Sequence, residues 1–184
     1  LTIARLRPRV IAALSPADQA IFLPRFEQHF PTVFNLLMHL YGQHYDFFFH
    51  LEQMTDLLVE AFQARSEALR QLDQRRLTEP LWYQRGKMLG YVLYVDLFNG
   101  TLSGVREKIS YLKKLGVTYL HLMPLFKAPE TNSDGGYAIS DFRTVNPSLG
   151  TMADLRALAD ELRAEGISLV LDFVFNHTSD EHDW

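Results

Sequence analysis

The sequence predicts an α/β protein in two parts: an all-helical N-terminal domain over residues 1–80, then strands alternating with helices over residues 81–184. Three observations predict it. Apolar residues recur at helical spacing through residues 1–76. Beyond Leu81, three runs rich in aromatic and β-branched residues are separated by amphipathic helical segments. The last run, Ile167 to His177 (ISLVLDFVFNH), has the continuous apolar character of a strand buried on both faces, as in a parallel sheet. It breaks abruptly into Asn176, His177, Thr178, Ser179, Asp180, Glu181 and His182.

Composition narrows the class. The chain has 184 residues, 47% of them hydrophobic, which suits one globular domain or two small ones. A net charge of −4 gives no electrostatic reason to expect a nucleic acid or an anionic membrane as partner. Cysteine is absent, so there is no disulfide frame, no thiolate zinc site and no cysteine nucleophile. No stretch is apolar and long enough to span a bilayer. Arg5, Arg7 and Arg9 precede the short apolar run VIAAL, which Ser15-Pro16 ends, so no signal-peptide layout is visible and a cytoplasmic location is favoured over a secreted one. The first residue is Leu rather than Met, so the chain reads as processed, excised or engineered.

The helical elements come first. Ser15-Pro16-Ala17-Asp18 combines an N-cap serine, a proline at the first helical position and an acid that reaches back. Ile21, Phe22 and Phe26 follow at helical spacing, with Pro24 expected to kink or shorten the helix. Pro31 is expected to open a further short helix bearing Phe34, Leu37, Met38 and Tyr41, which Gly42 stops. A long helix is expected from Tyr45 to Leu72, then an exit loop ending at Pro80. His29, His39, His44 and His50 repeat no metal-ligand spacing and read as scattered surface or half-buried residues.

The second part reads as strand, helix, strand, helix, strand. Leu89–Phe98 is a strand-like run that Asn99-Gly100-Thr101 breaks. A helix carrying Val105, Ile109, Leu112 and Leu115 follows, closed by Gly116. Val117–Phe126 is the second strand run, ending at Met123-Pro124, and a long polar loop continues to Gly150. Thr151 to Asp154 forms a capping-box start for a helix with Leu155, Leu158, Ala159 and Leu162 on one face, which Gly166 ends. Asp172 stands out inside the third strand, because a carboxylate there costs several kcal/mol unless a donor or basic group partners it.

Such a series fits either an open doubly wound sheet or part of a (β/α)8 TIM barrel. The doubly wound alternative calls for a glycine-rich turn after the first strand, and Asn99-Gly100-Thr101 is not one. A long loop after the second strand and polar residues after the third suit a barrel, whose sites gather at the carboxyl ends of strands. A barrel takes about 250 residues and eight strands, so residues 81–184 are expected to form only its first three β/α units and the chain to be an N-terminal fragment.

The residues also carry a family resemblance. Asp172 to His177, DFVFNH, resembles the first conserved region of the α-amylase family of glycoside hydrolases: Asp, three apolar or variable residues, then Asn-His at the end of the third barrel strand. Ser133 to Thr151, SDGGYAISDFRTVNPSLGT, is similar to that family's Gly-Tyr-x-x-x-Asp-(Phe/Tyr)-x-x-(Val/Ile)-(Asn/Asp)-Pro segment after strand two. Within the family, the helical N-terminal part, YVDLF, YLHLMPLF and SDGGYAISDFR resemble the amylosucrase subfamily. The resemblance implies a retaining transglucosidase that cleaves sucrose, extends an α-1,4-glucan and releases fructose through a covalent glucosyl intermediate. Sucrose and α-glucan acceptors are thus the implied partners. In the family the aspartate nucleophile and glutamate acid/base follow strands four and five, so no catalytic residue is expected in this fragment.

What the resemblance leaves to this chain is part of a glucose pocket. Asp134 would lie at its bottom, against the sugar's far hydroxyls and an arginine from later in the chain. Tyr137 would stack on the sugar, presented by Gly135 and Gly136. His177 would donate a hydrogen bond to a glucose hydroxyl. Asp172 and Asn176 would support the site, Asp172 by holding an arginine near the nucleophile. Asn176 is a calcium ligand in many α-amylases, whereas sucrose-active relatives generally lack that ion, so no metal and no cofactor is implied. Asp141 to Pro147 is expected to support the loop. The plainer alternatives are a turn aspartate, a core tyrosine, a structural histidine and, for Asp180, Glu181 and Asp183, a solvated acidic loop.

Competing functions remain open on sequence: a sucrose hydrolase, another α-glucosidase of the family, or a fragment without activity in isolation. Phe47-Phe48-Phe49 suggests either a homodimer through the helical part or packing onto the barrel.

Overall fold

In the computed structural model, which describes residues 2–84 and 86–183, Ser15 opens a 26-residue helix: its side chain accepts from the Asp18 amide and Pro16 occupies the first turn. Leu1, Arg85 and Trp184, included in the two expected domains, lie outside the described residues. The chain divides into two units, 1–80 and 81–184. No described helix is long and apolar enough to cross a membrane.

The first unit is helical: α1 (Thr2–Ala13), α2 (Pro16–Tyr41), α3 (Phe47–Gln63) and α4 (Glu67–Thr78). Its core joins Leu6, Val10 and Leu14 of α1 and its C-terminal edge to Leu23, Phe26 and Phe30 of α2 and Phe47, Leu51 and Val59 of α3. Two expectations fail here. Pro24 and Pro31 neither end α2 nor start a new helix. Each removes one backbone donor, but Leu23, Phe26 and Phe30 stay on one buried stripe, and that burial outweighs the loss. The single helix expected from Tyr45 to Leu72 is two helices, because extended Ser66 caps α4 by accepting from the Leu69 amide at 3.4 Å.

Arg70 holds that break in shape. Its guanidinium donates to the Phe62, Gln63 and Arg65 carbonyls at 3.2, 3.4 and 3.2 Å, pairs with Asp18, and lies 4.5 Å from the centre of the Phe62 ring. It thereby satisfies carbonyls that α3 leaves open at its carboxyl end. The pairing holds the Asp18 carboxyl below the usual range, first through Arg70 and then Ser15. Arg9 makes a two-pronged pair with Asp56 at 2.6 Å, but solvent screening leaves such an exposed pair little weight in stability.

The second unit is built on a three-stranded parallel sheet, ordered β1 (Gly90–Leu93), β2 (Tyr119–Leu122), β5 (Ser168–Leu171). Register aligns Tyr91, Leu120 and Leu169, and likewise Leu93, Leu122 and Leu171, on one face. That face packs on Leu102 and Val105 of α6 (Leu102–Glu107), on Ile109 and Leu112 of α7 (Ile109–Lys114) and on Leu155, Leu158 and Leu162 of α8 (Met152–Ala164). The opposite face carries Val92, His121 and Val170 in one row. This is the start of a TIM barrel, with helices outside and a second strand face inside.

Local differences from expectation are instructive. The first strand stops at Leu93, and Val95–Asn99 forms a short helix, α5, closed by Gly100 at φ 77°. Its β-forming composition loses to packing: Val95 turns into the core while Leu97 is 81% exposed. The helix after Thr101 breaks at Lys108, giving α6 and α7. The polar loop contains an antiparallel pair, β3 (Phe126–Lys127) with β4 (Asp141–Val145), irregular in register. The third strand ends at Leu171 and is half-buried, because β5 lies at the edge of the sheet. Asp172 therefore sits just past the strand. Its amide still donates to the Leu122 carbonyl at 2.9 Å.

Replacing Arg70 by Ala should destabilise the helical unit by about 1–2 kcal/mol, since several carbonyl bonds and a ring contact go together. Chemical denaturation followed by circular dichroism checks this; an unchanged midpoint would show the α3–α4 break to be held by packing alone.

Candidate active site

The site is assembled where the sheet's strands end. Tyr94 follows β1, Met123 and Pro124 follow β2, and Asp172 follows β5. The ladder runs on past the strands, with the Met123 amide donating to Leu93 and the Asp172 amide to Leu122, both at 2.9 Å. This fixes the backbone of two of these positions before any side chain is considered.

Onto these ends folds the turn Ser133–Tyr137. Asp134, Gly135 and Gly136 all have positive φ, at 49°, 66° and 94°. Aspartate tolerates this region better than most residues and glycine adopts it freely, so the Asp-Gly-Gly order fits a left-handed turn. The Gly136 and Ala138 amides both donate to the Ser133 carbonyl at 2.9 Å. A Cβ on Gly136 would meet Pro124 Cβ at 3.2 Å and the Pro124 oxygen at 3.3 Å, so the turn lies directly on the segment that leaves β2.

One hydrogen bond then ties the turn to β5: the Tyr137 hydroxyl donates to Asp172 Oδ2 at 2.9 Å. The same bond holds the Tyr137 phenol above its usual range, reinforced by burial and by the charges of Asp172, Tyr94 and Asp134. Both partners are half-buried, while the Asp134 carboxylate beside them is exposed. Asp172 thus has one donor from within the chain, through Oδ2. The arrangement offers a fixed aromatic ring flanked by an exposed carboxylate at the carboxyl ends of three parallel strands. Such a ring stacks on the C–H face of a sugar, and such a carboxylate accepts from vicinal hydroxyls.

His177 and Asn176 follow β5 a few residues beyond Asp172. Both are exposed, and Asn176 Nδ2 lies 3.3 Å from His177 Nδ1. His177 lines a cleft of about 420 Å³ with Phe142, Arg143, Phe173, Phe175 and His182. There Phe142 and Phe173 stack at 5.3 Å, and Phe173 meets Phe175 at 4.6 Å. Asp180, Glu181 and Asp183 are exposed, and no three His, Asp or Glu side chains converge as metal ligands among the described residues. Asp141 caps its own strand, accepting from the Arg143 amide at 2.8 Å and the Thr144 hydroxyl at 2.5 Å, so its carboxyl lies below the usual range.

The sequence reading missed Tyr94, having placed it inside a longer strand. The signal that could have found it is the acid two residues on, Asp96, which suits a helix first turn better than a strand interior.

Comparison with known proteins adds the remaining findings. The family model described as "Alpha amylase, catalytic domain" matches residues 47–184. The oligo-1,6-glucosidase of Parageobacillus thermoglucosidasius is 48% identical over 85 residues, covering 46% of this chain and 15% of that protein. The crystal structure of Bacillus licheniformis trehalose-6-phosphate hydrolase aligns with 34% identity and a TM-score of 0.51, over 56% of this chain and 19% of that one. A MutB mutant crystallised with the substrate sucrose aligns with 37% identity and a TM-score of 0.50, over 57% of this chain and 19% of that one. The chain therefore spans less than a quarter of the length of these relatives.

Two outcomes follow from the geometry. Gly136→Ala should cost about 1–3 kcal/mol, combining strain at positive φ with the contact against Pro124; an unaltered melting temperature would mean the turn does not rest on β2. Because the phenol is raised, the Tyr137–Asp172 bond contributes stability fully below the ordinary tyrosine pKa and loses it as pH rises through the higher folded value. The ultraviolet phenolate titration of Tyr137→Phe should accordingly lack one late-titrating component present in the parent.

Proposed function

This chain belongs to the α-amylase family, and we propose that it supplies the glucose-binding floor of an enzyme that breaks an α-glucosidic bond. The observation that carries the reading is the Tyr137–Asp172 hydrogen bond, which fixes an aromatic ring beside the Asp134 carboxylate at the strand ends. Tyr137 stacks on the glucosyl ring and Asp134 accepts from hydroxyls on its far side. Asp172 positions Tyr137. His177 is assigned a further sugar hydroxyl, with Asn176 in support, on the DFVFNH resemblance alone.

The reaction we assign is glucosyl transfer of the amylosucrase type. A carboxylate outside this chain attacks the anomeric carbon of sucrose while an acid outside this chain protonates the departing fructose oxygen. The glucosyl–enzyme ester is then cleaved by a hydroxyl of an α-1,4-glucan, which loses its proton to the same acid/base and retains the α configuration. Resemblance of the helical part and of SDGGYAISDFR supports this choice, and the sucrose-bound MutB mutant supports the substrate class. A second reading, hydrolysis of α-glucosides, is supported by the 48% identity to oligo-1,6-glucosidase.

Incubating the full-length polypeptide with sucrose alone, and following glucose, fructose and glucan, separates the two. Transfer predicts fructose in excess of glucose with growing polymer; equal amounts without polymer would assign hydrolysis, and intact sucrose would remove sucrose as substrate.

A further inference from the structure

Beyond β5 the chain is pinned at two points. Val174 packs into the apolar core that also holds Ile139, and Ser179 is only 6% exposed. Between them Phe175, Asn176, His177 and Thr178 are all exposed, as are Asp180 and Glu181 after them. A buried serine among exposed neighbours calls for a reason, because serine loses by leaving water unless its polar groups are bonded.

Every polar group of Ser179 is in use. Its amide donates to the Ile139 carbonyl at 2.9 Å, and its carbonyl accepts from the His182 amide at 3.1 Å. Its hydroxyl accepts from the Glu181 amide at 3.1 Å and donates to Asp180 Oδ1 at 3.3 Å. These contacts close a turn over residues 179–182, which brings the His182 ring to 5.7 Å from the Phe142 ring. Ile139, on the receiving side, donates its own amide to the Tyr137 carbonyl at 3.1 Å. The bond from Ser179 therefore lands two residues from Tyr137, in the loop that Asp172 also holds. His177 has little to fix it on its own account. Among the described residues its ring has one polar contact, Asn176 Nδ2 at 3.3 Å from its Nδ1. Its place is set by the two ends of the bridge from Val174 to Ser179. Freeing one end would open many backbone conformations to the exposed residues between, and a donor displaced by about 1 Å loses most of its value to a reaction.

We propose that Ser179 is a positioning residue, which latches the segment carrying Asn176 and His177 onto the loop carrying Tyr137 and so holds the two halves of the glucosyl pocket at one spacing. The proposal rests on the reading that His177 and Tyr137 contact the same sugar, and it adds a residue that lies outside both DFVFNH and the Gly-Tyr segment. Ser179 acts through His177 and does not touch the substrate.

The test is a double-mutant cycle on the full-length polypeptide with sucrose, run beside amide hydrogen exchange of residues 175–178. Ser179→Ala leaves the Glu181 amide without its acceptor. It should lower kcat about tenfold, more than it raises KM, and speed exchange in that segment, while Ser179→Thr, which keeps the hydroxyl, should restore both. In a His177→Ala background the Ser179→Ala loss of kcat should vanish, because the two residues act as one unit. Losses that add in the double variant overturn the latch, and so does an unchanged kcat in Ser179→Ala where His177→Ala is impaired. If sucrose is not cleaved, or His177→Ala cleaves it normally, the role given to His177 above fails. The latch then stands if Ser179→Ala still speeds exchange at residues 175–178, and it falls if exchange is unchanged.

Discussion

The Tyr137–Asp172 hydrogen bond is the contact on which the site depends. The 24-residue span between β3 and α8 also has its own turns, the short β3–β4 pair and the Phe142–Phe173 stack at 5.3 Å, and this hydrogen bond ties the tip of its turn to the end of β5. With it, a left-handed turn is clamped from both sides: Pro124 presses on Gly136 from β2, and Asp172 draws Tyr137 toward β5. Neither clamp tolerates much change, because one needs a residue without a side chain and the other a phenol at bonding distance. The strand ends supply fixed points, and the loop supplies the chemistry.

That division follows from how a parallel sheet is stabilised. One face of β1, β2 and β5 is covered by leucines, isoleucine and valine from α6, α7 and α8, and this apolar burial anchors the strands. Leu93 and Leu122, the last residues of β1 and β2, are still buried, and polar or aromatic residues such as Tyr94 and Asp172 follow the strands. The row on the other face is less settled: His121 has a buried Nε2 without a partner among the described residues, and Val92 is 58% exposed. The helical unit solves a different problem. Its α3–α4 break leaves carbonyls open, and one arginine, Arg70, meets them while bridging back to α2.

The site was legible in part because its signals are local. Asp-Gly-Gly spells a turn with positive φ, and Asp172 inside an apolar run announces an unmet need for a partner. What could not be read was which partner arrives. Asp172 gives no local sign of Tyr137, 35 residues earlier, which only the fold places at 2.9 Å from it. Tyr94 was hidden for a related reason. YVDLF has strong β-forming composition, yet Val95 gains more by turning into the core as a helix than by extending the strand.

The sequence by itself determined the helical first part, the strand–helix alternation, the caps at Ser15 and Thr151, and the family to which the chain belongs, because each is written in residues a few positions apart. Tertiary structure decided that α2 runs through two prolines, that α3 and α4 separate at Ser66, that β3 and β4 pair within a polar loop, and that Tyr137 meets Asp172. The physical reason is common to all four. Local propensities differ by a few tenths of a kcal/mol to a few kcal/mol, and burial of a shared apolar stripe or one long-range hydrogen bond is large enough to reverse them.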